Sequence, residues 1–274
     1  MYRTVWRTLP RALRRRLYPH GVLRIPIDAD HAFSMICTGE YIEADVYRWG
    51  FGNGWEGVSL RAWARLAAGS ATIVDIGAYR GIYALSAKAM NPRANVIAFE
   101  PGDMAYQRVS DNARLNGFEI TAERLALSDR TGEAVLYATS GGGSSSIEGR
   151  PDQAYVEVPV ATTTLDGYFE RSGLDSADLV KIDVEGHEAA VLRGMRGILA
   201  RSRPTLLMEV LTDAVGAAEL ELIKAYGYEM FRVHDNDGLE PISTLGGQIR
   251  GSRNVLLCQP EAFETAQLKE LLVG

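Results

Sequence analysis

Short apolar segments alternate with stretches of helical periodicity from residue 71 onward. The predicted strands include ATIVDIG, ANVIAFE, ITAERLALSD, ADLVKID and PTLLMEV, and the predicted helices include HEAAVLRGMRGILAR. Strands that alternate with helices predict a parallel β-sheet covered on both faces, because each parallel connection needs a crossover. The apolar segment at residues 253–258 follows the preceding one without a helical stretch, so we expect an antiparallel last strand. We therefore predict an α/β fold with a seven-stranded, mostly parallel sheet.

Two parts of the chain depart from this alternation. Residues 1–19 place apolar side chains at helical spacing with arginines between them, and a short β-rich segment follows. Such a basic amphipathic helix is suited either to peripheral contact with a membrane or to packing on the protein's own domain. The segments GEAVLYATSGGGSSS, residues 132–146, and YVEVPVATTTL, residues 155–165, alternate with a period of two, which predicts a β-hairpin insertion with a Gly- and Ser-rich tip at residues 140–146. We divide the chain into an N-terminal extension, residues 1–54, and a larger domain, residues 55–274.

The composition limits the classes of function. The formal net charge is −6, which argues against nucleic acid as a partner because phosphate binding needs a basic surface. Cys37 and Cys258 both have apolar neighbours, so we predict buried free thiols and a reducing, cytoplasmic location. No apolar run is long enough to span a membrane, and the N-terminus lacks the apolar core of a secretory signal. The sequence leaves the oligomeric state open.

The segment VDIGAYRG, residues 74–81, predicts a strand that turns sharply into a helix. Gly77 and Gly81 form a G-x-x-x-G pattern, which differs from the G-x-G-x-x-G of dinucleotide-binding turns. Asp75 at the strand end would repel a pyrophosphate, but it suits a ligand with positive charge. S-adenosylmethionine has an ammonium group, a sulfonium and no phosphate. Its methionine part can lie against the bare backbone of Gly77, and its carboxylate can meet helix N–H groups.

A second acidic residue supports a ligand of this kind. The segment VIAFEP places Glu100 at the end of the next predicted strand. A carboxylate at this position can accept hydrogen bonds from both hydroxyls of a ribose. Enzymes that use NAD have an acid at the same position, so Glu100 alone does not distinguish the two cofactors. Asp75 and Glu100 together favour S-adenosylmethionine.

The order of motifs in this chain resembles that of the FkbM-family methyltransferases. The motifs are VDIGAYRGIYAL, VIAFEP, NARLNG, ALSD, TTTLDGYF and VKIDVEGHEAAVLRGM, and they fall within residues 55–258. The run KIDVEGHE is the most specific of them. The resemblance implies a Rossmann-like class I methyltransferase fold and an S-adenosylmethionine-dependent enzyme. It also implies O-methylation of a hydroxyl on a sugar, a glycolipid or a polyketide-type natural product.

The resemblance also implies roles for individual residues. It places the methionine part of the cofactor near the glycine turn, the ribose at Glu100, and the adenine along residues 126–129. The family usually has asparagine where this chain has Tyr79, so the contact made by that side chain differs here. The cofactor-binding residues implied in this way are Asp75, Gly77, Tyr79, Gly81, Glu100, Leu127 and Ser128.

Methyl transfer requires an aligned and activated nucleophile. The acceptor hydroxyl needs a base or a metal to take up its proton or bind its oxygen. The segment KIDVEGHE supplies three candidates at the end of the fourth strand, Asp183, Glu185 and His187. Asp183 at the strand tip is the first candidate, and His187 has the intrinsic pKa of a base. Glu185 is a candidate for orienting the substrate.

Three alternatives remain open at this level. Asp183 and Glu209 end neighbouring predicted strands, so they are a possible Mg²⁺ site, although we favour a mechanism without a metal. A nicotinamide-dependent oxidoreductase is the alternative enzyme, and the missing third glycine argues against it. A non-catalytic binding module is the alternative outside enzymes. The identity of the hydroxyl acceptor cannot be derived from the sequence.

Overall fold

The computed structural model describes residues 19–139, 145–148, 155–210, 215, 217–235, 237–245 and 253–273. The predicted basic helix lies outside the described residues except for Pro19, and the predicted hairpin tip lies outside them except for Ser145 and Ser146. Within the described part of the chain, no helix combines the length and apolarity needed to cross a bilayer. Membrane contact through residues 1–19 therefore stays a prediction.

The described residues form strands and helices that alternate largely as predicted. The strands are β1 (His20–Pro26), β2 (Ala32–Thr38), β3 (Thr72–Ile76), β4 (Asn95–Phe99), β5 (Ile120–Glu123), β6 (Ala126–Leu127), β7 (Gly132–Thr139), β8 (Ser145–Ser146), β9 (Tyr155–Thr163), β10 (Leu179–Ile182), β11 (Thr205–Glu209), β12 (Glu229–His234), β13 (Gly238–Ile242) and β14 (Asn254–Cys258). The helices are α1 (Tyr41–Trp49), α2 (Gly57–Gly69), α3 (Ile82–Met90), α4 (Asp103–Asn116), α5 (Leu165–Ser172), α6 (Glu188–Gly194), α7 (Arg196–Ser202), α8 (Ala217–Ala225) and α9 (Pro260–Thr265), followed by a 3₁₀ turn (Leu268–Leu271).

The central sheet has the order β13-β12-β14-β11-β10-β3-β4-β5. The five strands from β11 to β5 are parallel, and β14 is antiparallel to both of its neighbours, as predicted for residues 253–258. The described sheet has eight strands, whereas we predicted seven. The additional strand is β13, which folds back on β12 as an antiparallel hairpin. The sequence between β12 and β14 contains this edge strand and not only a loop.

Both faces of the central sheet are buried, because a layer of helices packs against each face. In β3, Ile73 contributes to the core on one face and Val74 to the core on the other. The first core also contains side chains of α2 and α3, and the second contains side chains of α5, α6 and α7. Near-continuous apolar strands are typical of parallel sheets covered on both sides. Cys37 and Cys258 are buried free thiols, as predicted.

The hairpin of β1 and β2 is fixed to helix α4 by two asparagine side chains. The Asn112 side chain accepts from the N–H of Ile36 at 2.9 Å and donates to the carbonyl of Arg80 at 3.0 Å. The Asn116 side chain accepts from the N–H of Ser34 at 2.7 Å. The hairpin therefore lies beside the turn that follows β3. Side chains on both sides of the boundary predicted between residues 54 and 55 pack into one core. That boundary stays a prediction.

The predicted insertion forms a second, smaller sheet with the order β6-β9-β7-β8. Strands β7 and β9 pair antiparallel from Gly132 opposite Thr162 to Thr139 opposite Tyr155, which agrees with the predicted hairpin. The predicted third strand, ITAERLALSD, divides between the sheets. Its first part is β5 at the edge of the large sheet, and its second part is β6 in the small sheet.

The predicted helix HEAAVLRGMRGILAR is interrupted at Met195, where α6 ends and α7 begins. The carboxylate of Asp166, on helix α5, accepts from the N–H of Gly197 at 2.7 Å and from the N–H of Ile198 at 2.8 Å. These N–H groups belong to the first turn of α7, which has no intrahelical acceptors for them. A side chain distant in sequence thus stabilises the new helix start.

Substitution of Asp166 by Ala should reduce stability. It leaves two backbone donors of α7 without their acceptor, and loss of a helix cap costs about 0.5–2 kcal/mol. The measurement is the free energy of unfolding in urea, and Glu170→Ala is the matched control because Glu170 is exposed on the same helix. Equal stability of the two variants would show that the Asp166 contacts contribute nothing.

Candidate active site

A cavity of about 800 Å³ opens where the parallel strands β3, β4, β10 and β11 end. Ligands of open α/β sheets bind at this edge, outside the carboxyl ends of the strands. The N-terminal hairpin, α1 and the small sheet contribute apolar side chains to the rim. Residues of the wall include Met35, Tyr41, Ile42, Glu56, Gly77, Tyr79, Tyr83, Glu100, Leu127, Leu136, Ile147, Val158, Asp183, Glu185, His187 and Glu209.

The turn after β3 lies against the end of β10. Gly77 has a φ of +79°, and an added Cβ would lie 1.8 Å from the carbonyl oxygen of Asp183. No residue other than glycine fits this position. The N–H groups of Gly77 and Ala78 donate to the carbonyl of Phe99 at 2.9 and 3.0 Å, so the turn is also attached to the end of β4.

Glu100 is held at the cavity wall by two backbone donors. Its Oε2 accepts from the N–H of Tyr79 at 2.8 Å, and its Oε1 accepts from the N–H of Gly102 at 2.8 Å. Burial raises the pKa of Glu100, and these two hydrogen bonds oppose that effect. Tyr79 has a φ of +50°, a backbone conformation that few residues other than glycine adopt. The strained turn thus directs its N–H to the carboxylate and orients both oxygens.

Three of the predicted cofactor-binding residues lie behind the wall and not on it. Asp75 is 1% exposed, and its Oδ2 accepts from the N–H of Ala84 in the first turn of α3 at 3.0 Å. Gly81 is the left-handed residue before that helix. Ser128 is buried, and its hydroxyl lies 2.9 Å from Nε2 of His187. Burial raises the pKa of Asp75 to about 7.

Asp183 forms an ion pair with Lys181 at the end of β10. The ammonium Nζ of Lys181 lies 3.1 Å from Oδ2 of Asp183, and the two side chains are 1% and 26% exposed. The same ammonium lies 5.2 Å from the ring centroid of Tyr83. Burial alone would lower the pKa of Lys181, but the surrounding carboxyl groups outweigh burial and raise it. The lysine therefore remains charged beneath the cavity.

Glu56 enters the same cavity from the segment that precedes α2. It has a φ of +47°, and its Oε2 accepts a short hydrogen bond from the hydroxyl of Tyr83. The ring of Tyr83 packs edge-on against Trp63, with centroids 5.2 Å apart. Burial raises the pKa of Glu56, while the charge of Lys181 and a hydrogen bond from Asn254 lower it. The acid and the phenol thus form a second polar pair beside Asp183.

Glu209 ends β11 next to Asp183. Its side chain is 16% exposed, and its Oε2 is buried without a hydrogen-bond partner among the described residues. Burial raises the pKa of Glu209 to about 9, the negative charge of Asp183 adds to this effect, and Lys181 opposes it. Glu209 is therefore a neutral acid near pH 7.

The other two predicted catalytic residues follow β10 and reach the cavity wall. His187 is 12% exposed, and its Nδ1 lies 2.9 Å from Oε1 of Glu148. With Ser128 on the opposite nitrogen, both ring nitrogens have partners. Glu185 has a φ of +55°, and its carbonyl accepts from the hydroxyl of Ser146 at 2.7 Å. The small sheet is thereby attached to the turn after β10.

Asp183, Glu185 and His187 were predicted from the sequence, and the structure places all three at one cavity with Glu100. Glu56 and Tyr83 lie at the same wall and were not predicted. Tyr83 lies in a helical segment of mostly apolar residues, which gave no sign of a polar role, and Glu56 belongs to no motif. The short spacing of Lys181 and Asp183 on one strand was the one sequence signal for the ion pair.

The described residues contain no group of three or more His, Cys, Asp or Glu side chains arranged to hold a metal ion. Near Asp183 the positive charge comes from Lys181, whose ammonium contacts the carboxylate directly. The proposed Mg²⁺ alternative therefore gains no support from the geometry of this part of the chain.

The chain belongs to the FkbM methyltransferase family. The sequence model of the methyltransferase FkbM domain matches residues 75–230, more than half of the chain. The matched region contains the glycine turn, Glu100 and the whole segment after β10. The resemblance derived from the motifs is thereby confirmed.

Two characterised relatives match about half of the chain. The 2-O-methyltransferase NoeI of Sinorhizobium fredii is 30% identical over 151 residues, which are 48% of this chain and 60% of the relative. The hexuronic acid methyltransferase AglP of Haloferax volcanii is 30% identical over 129 residues, which are 46% of this chain and 50% of the relative. The match therefore spans between half and three-fifths of the length of these relatives.

Among solved structures, methyltransferase FkbM from Methylobacillus flagellatus aligns with a TM-score of 0.44 and 17% sequence identity. The alignment covers 69% of this chain and 43% of that chain. Membership in the family rests on the match to the family's sequence model.

Substitution of Glu209 by Gln should stabilise the protein at alkaline pH. The folded protein keeps the Glu209 proton up to a pKa of about 9, whereas a glutamate in the unfolded chain loses it near a pKa of about 4.3. Between these values the folded state binds more protons, so the stability contributed by this group falls as pH rises. A neutral amide has no such dependence, so Glu209→Gln should raise the free energy of unfolding at pH 8 by at least about 1 kcal/mol.

The measurement is the melting temperature of both proteins at pH 5 and pH 8. The advantage of Glu209→Gln should be large at pH 8 and small at pH 5. Glu229→Gln, at an exposed position of strand β12 in the same sheet, is the control. An equal difference at both pH values would contradict the buried neutral acid.

Proposed function

We propose that this protein is an S-adenosylmethionine-dependent O-methyltransferase that modifies a hydroxyl of a sugar, a glycolipid or a polyketide-type natural product. The observation that supports this proposal best is the position of Glu100. Its buried carboxylate lies in one cavity with the Gly77 turn and with Asp183. Membership in the FkbM family agrees with this chemistry.

The wall of the cavity fits S-adenosylmethionine better than a dinucleotide. Glu100 retains lone pairs on both oxygens for the ribose hydroxyls, beyond the two that the backbone donors occupy. Gly77 and Tyr79 present the backbone of the turn, and Leu127 supplies an apolar surface for the adenine. The acidic groups Asp183 and Glu185 at the wall would repel a pyrophosphate but favour a cation. Asp75 supports the site by capping α3 from behind.

When bound, S-adenosylmethionine supplies a methyl group on a positively charged sulfur. The protein must then align the acceptor oxygen with that carbon and accept the hydroxyl proton. Asp183 is the first candidate for this contact, because it ends β10 at the wall and Lys181 holds one of its oxygens. The second oxygen can accept a hydrogen bond from the acceptor hydroxyl. Glu56 and Tyr83 lie beside it and can bind further hydroxyl groups.

His187 and Glu185 are suited to support this contact. His187 contacts Ser128, which follows β6, and Glu148, which follows β8, so it can hold the turn after β10 against both segments of the small sheet. Glu185 lies at the wall within the turn that Ser146 contacts. We assign both residues to positioning and keep Asp183 as the proton acceptor.

The relatives and the residues of the cavity rim support this acceptor class. The two characterised relatives carry names that refer to sugar or hydroxyl methylation. The rim combines apolar side chains, among them Ile42, Ile147 and Val158, with the polar groups at the floor. A hydroxylated small molecule with an apolar portion fits both regions. No metal is required in this scheme.

A ligand screen by thermal shift tests the cofactor. S-adenosylmethionine and S-adenosylhomocysteine should both raise the melting temperature, and NAD should leave it unchanged. Stabilisation by NAD alone would favour the oxidoreductase, and stabilisation by none of them would favour the non-catalytic module. A panel of sugars, uronic acids and polyketide hydroxyls, with formation of S-adenosylhomocysteine as readout, then identifies the acceptor.

Replacement of Glu100 by Gln should weaken the binding of S-adenosylhomocysteine about ten- to a hundredfold. The amide cannot accept from both backbone donors and both ribose hydroxyls, and loss of charge-assisted hydrogen bonds costs about 1.5–3 kcal/mol. Titration calorimetry measures the dissociation constant. Asp103→Asn is the control, because Asp103 is also at the wall but is 70% exposed and pairs with Arg124. Equal affinities would remove Glu100 from the ribose site.

Replacement of Asp183 by Asn should reduce methyl transfer about 10²- to 10⁴-fold, the usual range for loss of a general base. The affinity for S-adenosylhomocysteine should stay within a few-fold of the parent value, because the ribose and adenine contacts are made elsewhere. Single-turnover rates with the identified acceptor give the first quantity, and calorimetry gives the second. Asp175→Asn, on the exposed surface, is the control. Near-normal turnover would transfer the role to His187.

A further inference from the structure

Among the described residues, the cavity floor, formed by Glu56, Asp75, Lys181, Asp183 and Glu209, contains one buried cation for four carboxyl groups. Lys181 is 1% exposed and pairs directly with Asp183. Glu56, Glu209 and Asp75 lie close enough to interact with its charge. Four carboxyl groups thus surround one ammonium in a region with little water. They cannot all be ionised at once, because their mutual repulsion is weakly screened there.

Glu209 is the member of this group to which the described residues donate no hydrogen bond, and its contact with Asp183 favours the protonated acid. Its Oε2 is buried with no hydrogen-bond partner among the described residues. The groups that face it are mostly negative, namely Asp183 and Glu185. Nη1 of Arg253 lies 4.0 Å from Oε1 of Glu209. The Arg253 side chain is 59% exposed, so solvent screens its attraction to the carboxyl group. Glu209 therefore holds a proton when the cavity contains no further positive charge.

The other two acids of the group are less suited to gain or lose a proton in response to a ligand. Asp75 lies behind the wall, where its carboxylate accepts from the N–H of Ala84. Glu56 accepts from the hydroxyl of Tyr83 and from Asn254, and both contacts favour its ionised form. Glu209 is at the wall and has a free oxygen. A charge that enters the cavity therefore acts most directly on Glu209.

We propose that Glu209 releases its proton to solvent when the positively charged sulfonium of S-adenosylmethionine binds, so that the protein distinguishes this cofactor from its neutral thioether product by charge. This inference rests on the proposed function. The sulfonium adds the positive charge that the floor lacks, and the ionised Glu209 balances it. The thioether product brings no charge, so Glu209 keeps its proton when that product binds.

The same group balances the charges of the reaction. Methyl transfer breaks the bond between sulfur and the methyl carbon, and the electron pair of that bond makes the sulfur neutral. A bond forms between the methyl carbon and the acceptor oxygen, and the hydroxyl proton leaves through Asp183. Ionised Glu209, next to Asp183, can take up this proton. The cavity then contains a neutral thioether and a neutral acid, the state in which the cofactor is held less tightly.

Titration calorimetry in two buffers of different ionisation enthalpy tests this inference without the acceptor. At pH 8, binding of S-adenosylmethionine should release about 0.5 to 1 proton, and binding of S-adenosylhomocysteine should release close to none. From pH 7 to pH 8 the affinity for S-adenosylmethionine should rise by up to about tenfold relative to the product, because proton loss is linked to binding. Binding of both ligands without a difference in proton release would overturn the assignment.

Variants assign the proton to a residue. Glu209→Gln should abolish the proton release and reduce the preference for S-adenosylmethionine over the product at pH 8 by about tenfold. Glu188→Gln is the matched control, because Glu188 is also buried with an unpartnered oxygen among the described residues but does not line the cavity. Release that persists in Glu209→Gln would overturn the assignment.

The two-buffer comparison on the parent protein decides the question even where Glu209→Gln does not fold. Failure of both ligands to bind would overturn the proposed function and this inference with it. Binding of both with equal proton release would overturn this inference alone.

Discussion

The contact between Gly77 and the backbone of Asp183 is the constraint on which the candidate active site depends. These residues follow β3 and β10, which are neighbours in the sheet, and the missing side chain of Gly77 allows the two turns to touch. The contact places the turn that presents Glu100 and the strand end that presents Asp183 at one cavity. A side chain at position 77 would force the two turns apart, so Glu100 and Asp183 both depend on this glycine for their positions at the cavity.

The second constraint is electrostatic. Lys181 is buried beneath the cavity and keeps Asp183 oriented, while the phenol of Tyr83 and the carboxylate of Glu56 lie on its other side. A buried ion pair of this kind contributes little net stability, because desolvation offsets the attraction between the charges. The ion pair fixes the position of the Asp183 carboxylate, and the negative charge of that carboxylate raises the pKa of the neighbouring Glu209. Under the proposed function, these acidic groups would face the positive charge of the cofactor.

The parts of the molecule outside the parallel sheet shape the rim. The N-terminal hairpin is attached to α4 through Asn112 and Asn116, and the small sheet is attached to the turn after β10 through Ser146. Both attachments use side-chain hydrogen bonds to backbone groups, so they depend on single residues. These peripheral segments supply part of the apolar rim of the cavity, whereas the ends of the parallel strands supply Asp183 and Glu209.

Several features followed from the sequence by itself: the alternation of strands and helices, the antiparallel last strand, the glycine turn, Glu100 and the segment after β10. They could be predicted because periodicity identifies parallel strands, and parallel strands bring their carboxyl ends to the same edge of a sheet. Only the tertiary structure showed that Asp75 lies behind the wall, that Glu56 contacts Tyr83, and that burial beside Asp183 raises the pKa of Glu209. The physical reason is that burial, pairing and pKa depend on distances between segments far apart in sequence, whereas periodicity depends on neighbours along the chain. The eighth strand and the break at Met195 were missed for the same reason, since each is stabilised by contacts with another element.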